Sequence, residues 1–447
     1  MRGSATTMVK RRDRRRPGPA LLLAVVSILS AGCQAGRGGV GSVHQLIPLR
    51  LAISPGQGAI DNRPDLGVAV SASGGKLTSV TVHDKRGMDV AGYLNPGATT
   101  WHTTWALAPS QTYAVSATAM SERGRTSTRT ATFETSAPAA TFSASLGETS
   151  GETVGVGMPV MVTFSRAIRD QAQVERSLEL RTSKPVVGAW YWMDDKTVWF
   201  RPKKFWPAYT KVRLIAHLAG VRGGPGLYGA VDLSQAFTVG ESLVTVASTS
   251  SHRMRVWVNG KLRHNWPIST GQPGDDTPNG AYLTIEKGNP VDMDSCSFGV
   301  CAGDPGYYNV LVYDSVRFTW SGDYIHSAPW SVGEQGFANV SHGCVNLAPG
   351  YAVWYYDRAV RGDPVTIVGS PQAGTWDDGW TIWFLKWQKL VAGSALKQAA
   401  VAGPSGSYFA EPAAVSPPSA TAPHVTAPHV TARHVIARHM VTVPAAS

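Results

Sequence analysis

Residues 341–346 read Ser-His-Gly-Cys-Val-Asn, and this stretch decides how the C-terminal half of the chain is interpreted. It places a cysteine directly after a glycine and two residues after a histidine. A thiolate attacks carbonyl carbon, and an imidazole lowers the thiol pKa and then carries the proton to the leaving amine. Cys344 and one histidine therefore supply the minimum for covalent acyl transfer.

Two histidines compete for the role of base: His326, eighteen residues before Cys344, and His342, two residues before it. Residues i and i+2 share a face in a strand, but a nucleophile on a glycine-containing turn needs a base from another element. That geometry favours His326. Gly343 permits a backbone in which consecutive N–H groups, from about Gly343 and Cys344, converge as an oxyanion hole.

The chain around this motif has the pattern of β-structure. Residues 254–258 alternate and end in Asn259-Gly260, which favours a type I′ hairpin. Nearer the N-terminus, apolar or β-branched residues occupy every second position in 66–70, 77–82, 112–117 and 128–133, which predicts an antiparallel sandwich. Tyr113 resembles the tyrosine corner of immunoglobulin-like domains, and Tyr209 echoes it in a second unit. With 47 Gly, 29 Pro and 16% charged residues, long coiled coils and helical arrays are excluded.

Two features follow the β-rich part of the chain. Trp376, Trp380, Trp383 and Trp387 recur at spacings of 4, 3 and 4, which predicts a helical stripe packed against a domain face. From Val401 the chain is rich in Pro and Ala and repeats a five-residue unit containing histidine, which predicts disorder.

The net charge of +11 is concentrated at the N-terminus, because the first sixteen residues carry seven basic side chains and one acidic one. The remainder has no Lys/Arg stripe, so nucleic-acid binding is not expected. The mild positive charge of the remainder is compatible with attraction to an anionic polymer or a membrane surface.

The N-terminus has the layout of an export signal. A basic segment precedes an apolar run from Ala20 to Leu29, which is too short to span a bilayer, and Ser30-Ala-Gly32 precedes Cys33. Cys33 after Ala-Gly resembles a bacterial lipobox, which implies lipidation of Cys33; simple secretion is the alternative. The Gly-rich residues that follow form a tether.

Four motifs together resemble the L,D-transpeptidase (YkuD-type) family of bacterial cell-wall enzymes, in the arrangement of its mycobacterial and actinobacterial members. They are Ser269-Thr-Gly271, Thr277-Pro-Asn-Gly280, His326-Ser-Ala-Pro-Trp330 and Ser341-His-Gly-Cys344-Val-Asn346. The resemblance implies a mainly β chain: two immunoglobulin-like β-sandwich domains, a β-rich YkuD-type catalytic domain and a short Trp-rich helical C-terminal segment. The expected boundaries are 1–33 signal peptide, 34–48 tether, 49–136 and 137–241 immunoglobulin-like domains, 242–369 catalytic domain, 370–395 Trp-rich subdomain and 396–447 disordered tail.

The resemblance also implies roles for individual residues. Cys344 would be the nucleophile and His326 the base, oriented by the backbone carbonyl of Ser327, while His342 and Gly343 would shape the site. Residues matching the family's substrate groove, beneath a lid of roughly residues 290–316, are Tyr308, Met293, Ser321, Trp330, Ser341 and Asn346.

The implied reaction forms a 3→3 cross-link between peptidoglycan stem peptides. Cys344 would attack the third residue of a donor tetrapeptide, release the terminal D-Ala and pass the acyl group to a side-chain amine on an acceptor stem. No cofactor or metal is required, and carbapenem-type β-lactams would acylate Cys344. The enzyme would lie outside the cell membrane, held by a lipid anchor.

Cys296 and Cys301 depart from the commonest lid sequence of the family. In an oxidising compartment they are expected to form a disulfide that closes a tight loop. The alternatives are reversible pairing of a lid cysteine with Cys344 and a zinc site built from both lid cysteines, Cys344 and His342.

Two other functions are compatible with the sequence. An L,D-carboxypeptidase would use the same Cys344 and His326 with water as the acceptor. A non-catalytic wall-binding spacer would keep the fold but not the chemistry.

Overall fold

The computed structural model describes residues 47–147 and 149–409. The predicted signal peptide with Cys33, most of the predicted tether and the histidine-containing repeats lie outside the described residues. Within those ranges, no helix is both long and apolar enough to cross a bilayer.

The first domain is a β-sandwich, as the alternating pattern predicts. One sheet has the order β1-β2-β5-β4 and the other β3-β6-β7, with strands β1 (Arg50–Ser54), β2 (Ala69–Ser73), β3 (Gly75–Asp84), β4 (Gly92–Leu94), β5 (Thr100–Thr103), β6 (Thr112–Ser121) and β7 (Thr126–Glu134). The inward side chains, among them Val70, Val115 and Phe133, form one core. Tyr113 is buried and its hydroxyl accepts a hydrogen bond from the Ala108 N–H at 2.9 Å, which is the predicted tyrosine corner.

The second domain is a larger sandwich with a short helix, α1 (Gln171–Arg176). Its main sheet contains two groups of strands, in the orders β10-β18-β15-β12 and β13-β14-β11-β9, and a small sheet has the order β16-β17-β8. The strands are β8 (Ala140–Phe142), β9 (Ala144–Leu146), β10 (Thr153–Val154), β11 (Val160–Phe164), β12 (Leu178–Thr182), β13 (Val186–Trp192), β14 (Thr197–Pro202), β15 (Lys211–Ala216), β16 (Arg222–Gly224), β17 (Leu227–Gly229) and β18 (Leu233–Val239).

The prediction of a second tyrosine corner at Tyr209 is wrong. The Tyr209 side chain is 59% exposed, and its hydroxyl accepts a hydrogen bond from Asn259 at 3.3 Å. The aromatic anchor at this position is Trp206, which is buried and donates its indole N–H to the Met158 carbonyl at 2.6 Å. Both residues lie in one Trp-Pro-Ala-Tyr turn, and burial of the larger ring leaves Tyr209 outside the core.

The third domain consists of two sheets and helix α2 (Pro349–Arg358). The first sheet has the order β21-β20-β19-β28-β22, and the second has the order β23-β25-β26-β27 with β24 on the edge of β25. The strands are β19 (Leu243–Ser248), β20 (Arg253–Val258), β21 (Lys261–Pro267), β22 (Gly280–Leu283), β23 (Glu286–Gly288), β24 (Val291–Asp294), β25 (Asn309–Arg317), β26 (Tyr324–Ser327), β27 (Val345–Leu347) and β28 (Pro364–Val368). Their facing side chains form a single core with α2.

The four spaced tryptophans do not lie on one helix. Helix α3 (Trp387–Ala392) begins at the last of them, and a single 3₁₀ turn, Ile382–Phe384, contains Trp383. Gly379, with φ of +117°, lies between the first two and interrupts any helix there. Trp383 and Trp387 nevertheless pack against the second domain, as a stripe of this kind was expected to pack.

Residues 400–409 form two strands, although the sequence places them in a disordered tail. Strand β29 (Ala400–Gly403) lies between β12 and β13 of the second domain and joins the two groups of the main sheet, while β30 (Gly406–Phe409) pairs with β29. Ala400 and Ala402 are buried in the core of that domain. Strand β29 has no large apolar side chains, and it is ordered because it forms backbone hydrogen bonds with a strand on each side. The structure is mainly β, which confirms the predicted fold class.

Candidate active site

The register of two strands determines where the reactive side chains meet. β26 and β27 are parallel, with Ile325 opposite Val345 and His326 opposite Asn346. Cys344 immediately precedes β27, two residues before Asn346. Side chains alternate along a strand, so Cys344, Asn346 and His326 belong to the same face of this pair.

The turn that carries Cys344 is held by its own side chains and by its neighbours. Ser341 donates its hydroxyl to the Cys344 carbonyl at 2.6 Å and accepts the Gly343 N–H at 3.3 Å. Gly343 has a φ of +123°, in the region where only glycine is unstrained. Thr277 donates its hydroxyl to the Gly343 carbonyl at 2.5 Å and accepts the Gly271 N–H at 2.9 Å.

The same contacts explain why the Ser269–Gly271 and Thr277–Gly280 motifs belong to the site. The Ser341 N–H donates to the Thr270 carbonyl at 3.0 Å, and the Ser341 carbonyl accepts the Gln272 N–H at 2.8 Å. The two motifs therefore clamp the turn from one side.

His326 is buried, and its Nδ1 lies 2.9 Å from the carbonyl oxygen of Ser327. A carbonyl oxygen only accepts, so Nδ1 carries the proton and Nε2 keeps its lone pair. Burial lowers the pKa of His326 to about 4, against the opposing effect of the Ser327 carbonyl. The imidazole is therefore neutral near pH 7 and has one nitrogen able to accept a proton.

Cys344 is a free cysteine whose sulfur is 3.9 Å from the Gly322 carbonyl oxygen and 4.0 Å from the Met293 sulfur. Burial and then the negative charge of Asp323 raise the pKa of the Cys344 thiol to about 12, while the backbone N–H of Tyr324 acts in the opposite direction. The resting pair is thus a neutral thiol and a neutral imidazole. Such a pair generates a nucleophile by transferring the thiol proton at the moment of attack.

The predicted groove residues fall into two groups. Tyr308 and His342 stack with ring centroids 4.6 Å apart, Met293 contacts the cysteine sulfur, and Trp330 is 56% exposed with its ring 6.0 Å from that of His326. Met293 and Trp330 therefore lie close to Cys344 and His326 respectively, and the charge of Cys344 acts on Tyr308. Burial, followed by the charges of Cys344 and Asp323, raises the pKa of Tyr308 to about 12, so its phenol stays protonated.

The second group has supporting contacts. Asn346 is only 2% exposed and donates its amide to the Ser331 hydroxyl at 3.0 Å, which fixes it on the face that it shares with Cys344 and His326. Ser341 is buried in the nucleophile turn. Ser321 is exposed and donates its hydroxyl to Asp378 at 2.7 Å.

The segment expected to form a lid consists of β24, the 3₁₀ turn Ser295–Phe298 and the start of β25. Cys296 and Cys301 form a disulfide within it. With both sulfurs bonded to each other, neither is a thiolate available to zinc or to Cys344 in this state.

Two acidic residues of the site have no signal in the sequence motifs. Asp323 places a carboxylate oxygen 2.5 Å from where a Cβ on Gly343 would lie, and Asp378 comes from the Trp-rich segment to bind both the N–H and the hydroxyl of Ser321. Asp323 is only three residues before His326, which is the one hint the sequence contains.

Comparison with known proteins gives a consistent result along most of the chain. The family model of the L,D-transpeptidase catalytic domain (YkuD) matches residues 242–367, and that of a bacterial Ig domain matches residues 59–222. L,D-transpeptidase 2 of Mycobacterium tuberculosis is 35% identical over 405 residues, which cover 88% of this chain and 98% of the relative. L,D-transpeptidase 5 of the same species is 34% identical over 78% of this chain and 77% of its own.

Among solved structures, L,D-transpeptidase 3 of M. tuberculosis, in complex with a faropenem-derived adduct, is 36% identical over 50% of this chain and 96% of its own, with a TM-score of 0.41. A complex of another L,D-transpeptidase with imipenem is 38% identical over the same share of this chain and 97% of its own, with a TM-score of 0.43. The two domain matches and the nearly full-length relative show that this chain belongs to the L,D-transpeptidase family of acyl-transferring enzymes.

Proposed function

We propose that this enzyme forms 3→3 cross-links between peptidoglycan stem peptides through an acyl-enzyme on Cys344, with His326 as the base. The observation that carries the proposal is the parallel register of β26 and β27. It places a neutral imidazole with a free Nε2 on the same face as a free thiol. No other cysteine in the described ranges is free.

In the first half-reaction, Nε2 of His326 takes the Cys344 proton as the sulfur attacks the carbonyl carbon of the third stem residue. The C–S bond forms, the bond from that carbon to the D-Ala nitrogen breaks, and the imidazolium returns its proton to the leaving amine. Negative charge that develops on the carbonyl oxygen meets backbone N–H groups of the nucleophile turn. The Gly343 N–H already has a long bond to Ser341, which leaves the Cys344 N–H as the better placed donor.

In the second half-reaction, the side-chain amine of an acceptor stem attacks the thioester carbonyl. The C–N bond forms, the C–S bond breaks, and the sulfur recovers a proton through His326. Water in place of the amine would give the carboxypeptidase product instead. Both steps use only side chains and backbone of this chain, and neither needs a metal.

The groove walls explain how a donor stem would be held. The exposed ring of Trp330 lies beside His326, and the half-buried Tyr308 stacks on the exposed His342, so both offer aromatic surface near the pair. Met293 offers a soft apolar contact at the Cys344 sulfur. The Cys296–Cys301 disulfide cross-links a loop within the lid segment that contains Met293 and Tyr308. A disulfide of this kind is favoured in oxidising compartments, which supports export. We propose Cys33 as the site of a lipid anchor on a separate ground, its lipobox-like position after Ala-Gly.

The relatives with bound imipenem and a faropenem-derived adduct support the expectation that carbapenem-type β-lactams acylate Cys344. In these drugs the strained lactam carbonyl would take the place of the third stem residue. The C–S bond would form as the ring C–N bond breaks.

The proposal is tested by incubating the purified chain with a donor tetrapeptide stem and an amine-bearing acceptor stem, followed by mass spectrometry of the products. We expect loss of D-Ala and a dimer joined through the two third residues. Cys344→Ala should fold, as judged by an unchanged melting temperature, and form neither product. A dimer formed by Cys344→Ala would refute the assignment of the nucleophile, and D-Ala release without any dimer would indicate the carboxypeptidase.

A further inference from the structure

Asp323 packs against the turn that carries Cys344, and the proposed acylation step gives its carboxylate no role. It is half-buried in the loop before β26, and one carboxylate oxygen occupies the space beside the Cα of Gly343, where a Cβ would lie 2.5 Å away. Its charge also acts on the neighbouring Cys344 thiol. The carboxylate therefore belongs to the immediate surroundings of the reacting sulfur.

The Asp323 side chain is held in place. Thr319 donates its hydroxyl to Oδ2 at 3.0 Å and accepts the Asp323 N–H at 2.7 Å, while the Phe318 N–H donates to the Asp323 carbonyl at 3.0 Å. Behind Thr319, the hydroxyl of Ser321 lies 3.1 Å from the Thr319 hydroxyl. With Oδ2 engaged in this network, Oδ1 is the oxygen directed toward Gly343.

No cation neutralises this carboxylate within residues 47–147 and 149–409. The basic residue that acts on it is Arg317, whose guanidinium is committed to Glu286 at 2.8 Å and to the backbone carbonyls of Thr319 and Trp320. The other charge that acts on it is the carboxylate of Asp378, which is repulsive. The charge of Asp323 also acts on the thiol of Cys344 and on the phenols of Tyr282 and Tyr308, and all three are neutral near pH 7.

A negative charge here opposes formation of the Cys344 thiolate and so does not assist the first half-reaction. In the acyl-enzyme the sulfur is a neutral thioester, and that penalty disappears. The next reactant is the acceptor amine, which is an ammonium ion near pH 7 and must lose a proton before it can attack. An unneutralised carboxylate beside the thioester can attract the ammonium ion and can also accept its proton.

We propose that Asp323 binds the ammonium group of the acceptor stem beside the acyl-enzyme and takes one proton from it. The inference rests on the proposed function and names the residue that favours an amine over water. The carboxylate becomes a carboxylic acid, and the neutral amine then forms the C–N bond as the C–S bond breaks. The second nitrogen proton passes through His326 to the Cys344 sulfur, and Asp323 later returns its proton to water.

The ionisation of Asp323 suits this task. Burial raises the pKa of its carboxyl to about 7, with Asp378 adding to the rise and Thr319 and Arg317 opposing it. A base whose pKa is near the working pH is both largely ionised and able to hold a transferred proton. As the pH falls through about 7, Asp323 takes up a proton and its attraction for an ammonium ion is lost.

The test is the partition of one acyl-enzyme between amine and water in Asp323→Asn, which keeps an oxygen to accept the Thr319 hydroxyl. We expect the ratio of cross-linked dimer to hydrolysed stem to fall at least about tenfold at pH 7.5, because the acceptor ammonium loses both its charged partner and its base. Carbapenem adducts on Cys344 should form faster than in the wild type, because the opposing charge is gone. Asp357→Asn, which removes an exposed carboxylate from helix α2, is the matched control and should keep the wild-type ratio.

Two further measurements separate binding of the ammonium from a structural effect. Methoxyamine is uncharged at pH 7 and has no ammonium proton to lose before it attacks, so its partition should be insensitive to Asp323→Asn. In the wild type alone, the ratio with an ammonium acceptor should rise as the pH increases through about 7 and then level off, and the ratio with methoxyamine should not change. A rise that continues above about pH 8, as the free amine itself becomes more abundant, would contradict the role of Asp323 even where the variant does not fold.

An unchanged ratio in a variant that still forms the acyl-enzyme would overturn the proposal and leave His326 as the base for both steps. So would an equal loss with methoxyamine. Failure of the proposed function itself would look different, since the wild type would then release no D-Ala from the donor stem.

Discussion

At the scale of single residues, the protonation states of His326 and Cys344 predict the pH dependence of acylation. Burial lowers the pKa of the imidazole to about 4 and raises that of the thiol to about 12. The base is therefore present at any pH above about 5 and is lost as the pH falls through about 4, while the thiol stays protonated throughout. We expect the rate of carbapenem acylation not to rise between pH 6 and 9 and to fall below pH 5.

The rate is measured by timed intact-protein mass spectrometry, with near-ultraviolet circular dichroism at each pH to verify the fold. A tenfold rise between pH 6 and 9 would point instead to a thiol that ionises by itself in that range.

The backbone of Gly343 supports a second prediction at this scale. Its positive φ strains any other residue by about 1–3 kcal/mol, and a Cβ would meet the Asp323 carboxylate. Gly343→Ala should therefore distort the turn and abolish adduct formation on Cys344. Gly350→Ala is the matched control, because Gly350 lies in helix α2 with open space around its Cα, and it should react like the wild type. Normal acylation of Gly343→Ala would show that the turn tolerates another backbone.

Cys344 and His326 could be proposed as the catalytic pair from the sequence because the motif joins rare residue types at fixed spacing. Asp323 and Asp378 could not be assigned a role from the sequence, since the role of a carboxylate depends on which groups the fold places beside it. One lies beside a glycine of a turn twenty residues later, and the other reaches Ser321 from a separate segment. Tyr209 was misread for the same reason, because only packing decides whether Trp206 or Tyr209 fills the core.

At the scale of elements, strand β29 is the least expected part of the fold. Its sequence, Ala-Val-Ala-Gly, has little apolar bulk and resembles the Pro- and Ala-rich chain that follows. Local pattern cannot distinguish such a segment from a disordered one, because its stability comes from two partner strands more than two hundred residues earlier. The alternating strands of the first domain were predictable because each carries its own inward-facing side chains.

This arrangement predicts that truncation after residue 397 destabilises the second domain. Removal of β29 leaves β12 and β13 with unpaired edges and exposes the core around Ala400 and Ala402. We expect the free energy of unfolding to fall by about 3 kcal/mol or more, the equivalent of several hydrogen bonds at about 1 kcal/mol each. Urea denaturation followed by tryptophan fluorescence measures the change.

Truncation after residue 409 is the control and should leave the unfolding transition where it is. A chain that ends at residue 397 and unfolds at the same urea concentration as the full chain would mean that β29 contributes nothing to stability.

At the scale of the whole molecule, the described contacts of the reactive pair all lie between residues 269 and 378. The contacts between the first and second domains include the stacked rings of Trp105 and His217, 3.8 Å apart, and none of the contacts of Cys344 and His326 described above comes from the first domain. The second domain, in contrast, binds the segment that supplies Asp378: Arg201 donates to the carbonyls of Ile382 and Leu385, and Glu175 accepts the Ala395 N–H.

A chain that begins at residue 137 should therefore acylate with a carbapenem within about twofold of the wild-type rate, as expected for distant, independent parts. In cells, a chain that keeps residues 1–48 but lacks residues 49–136 should lose function if the first domain sets the distance from the membrane to the cross-linking zone. A loss of acylation greater than about tenfold, more than 1.4 kcal/mol of barrier, would show that the first domain supports the site directly.

The central claim is that His326 activates Cys344 as an acyl-accepting nucleophile. It is tested most directly by peptide mapping after a carbapenem is added to the freshly reduced wild type, Cys344→Ala and His326→Gln. We predict one drug-sized mass increase, located on the peptide that contains Cys344, absent from Cys344→Ala and formed at least about 100-fold more slowly in His326→Gln, the usual contribution of a general base. An adduct on Cys344→Ala, none on the wild type, or full reactivity without His326 would show that the site does not work in this way.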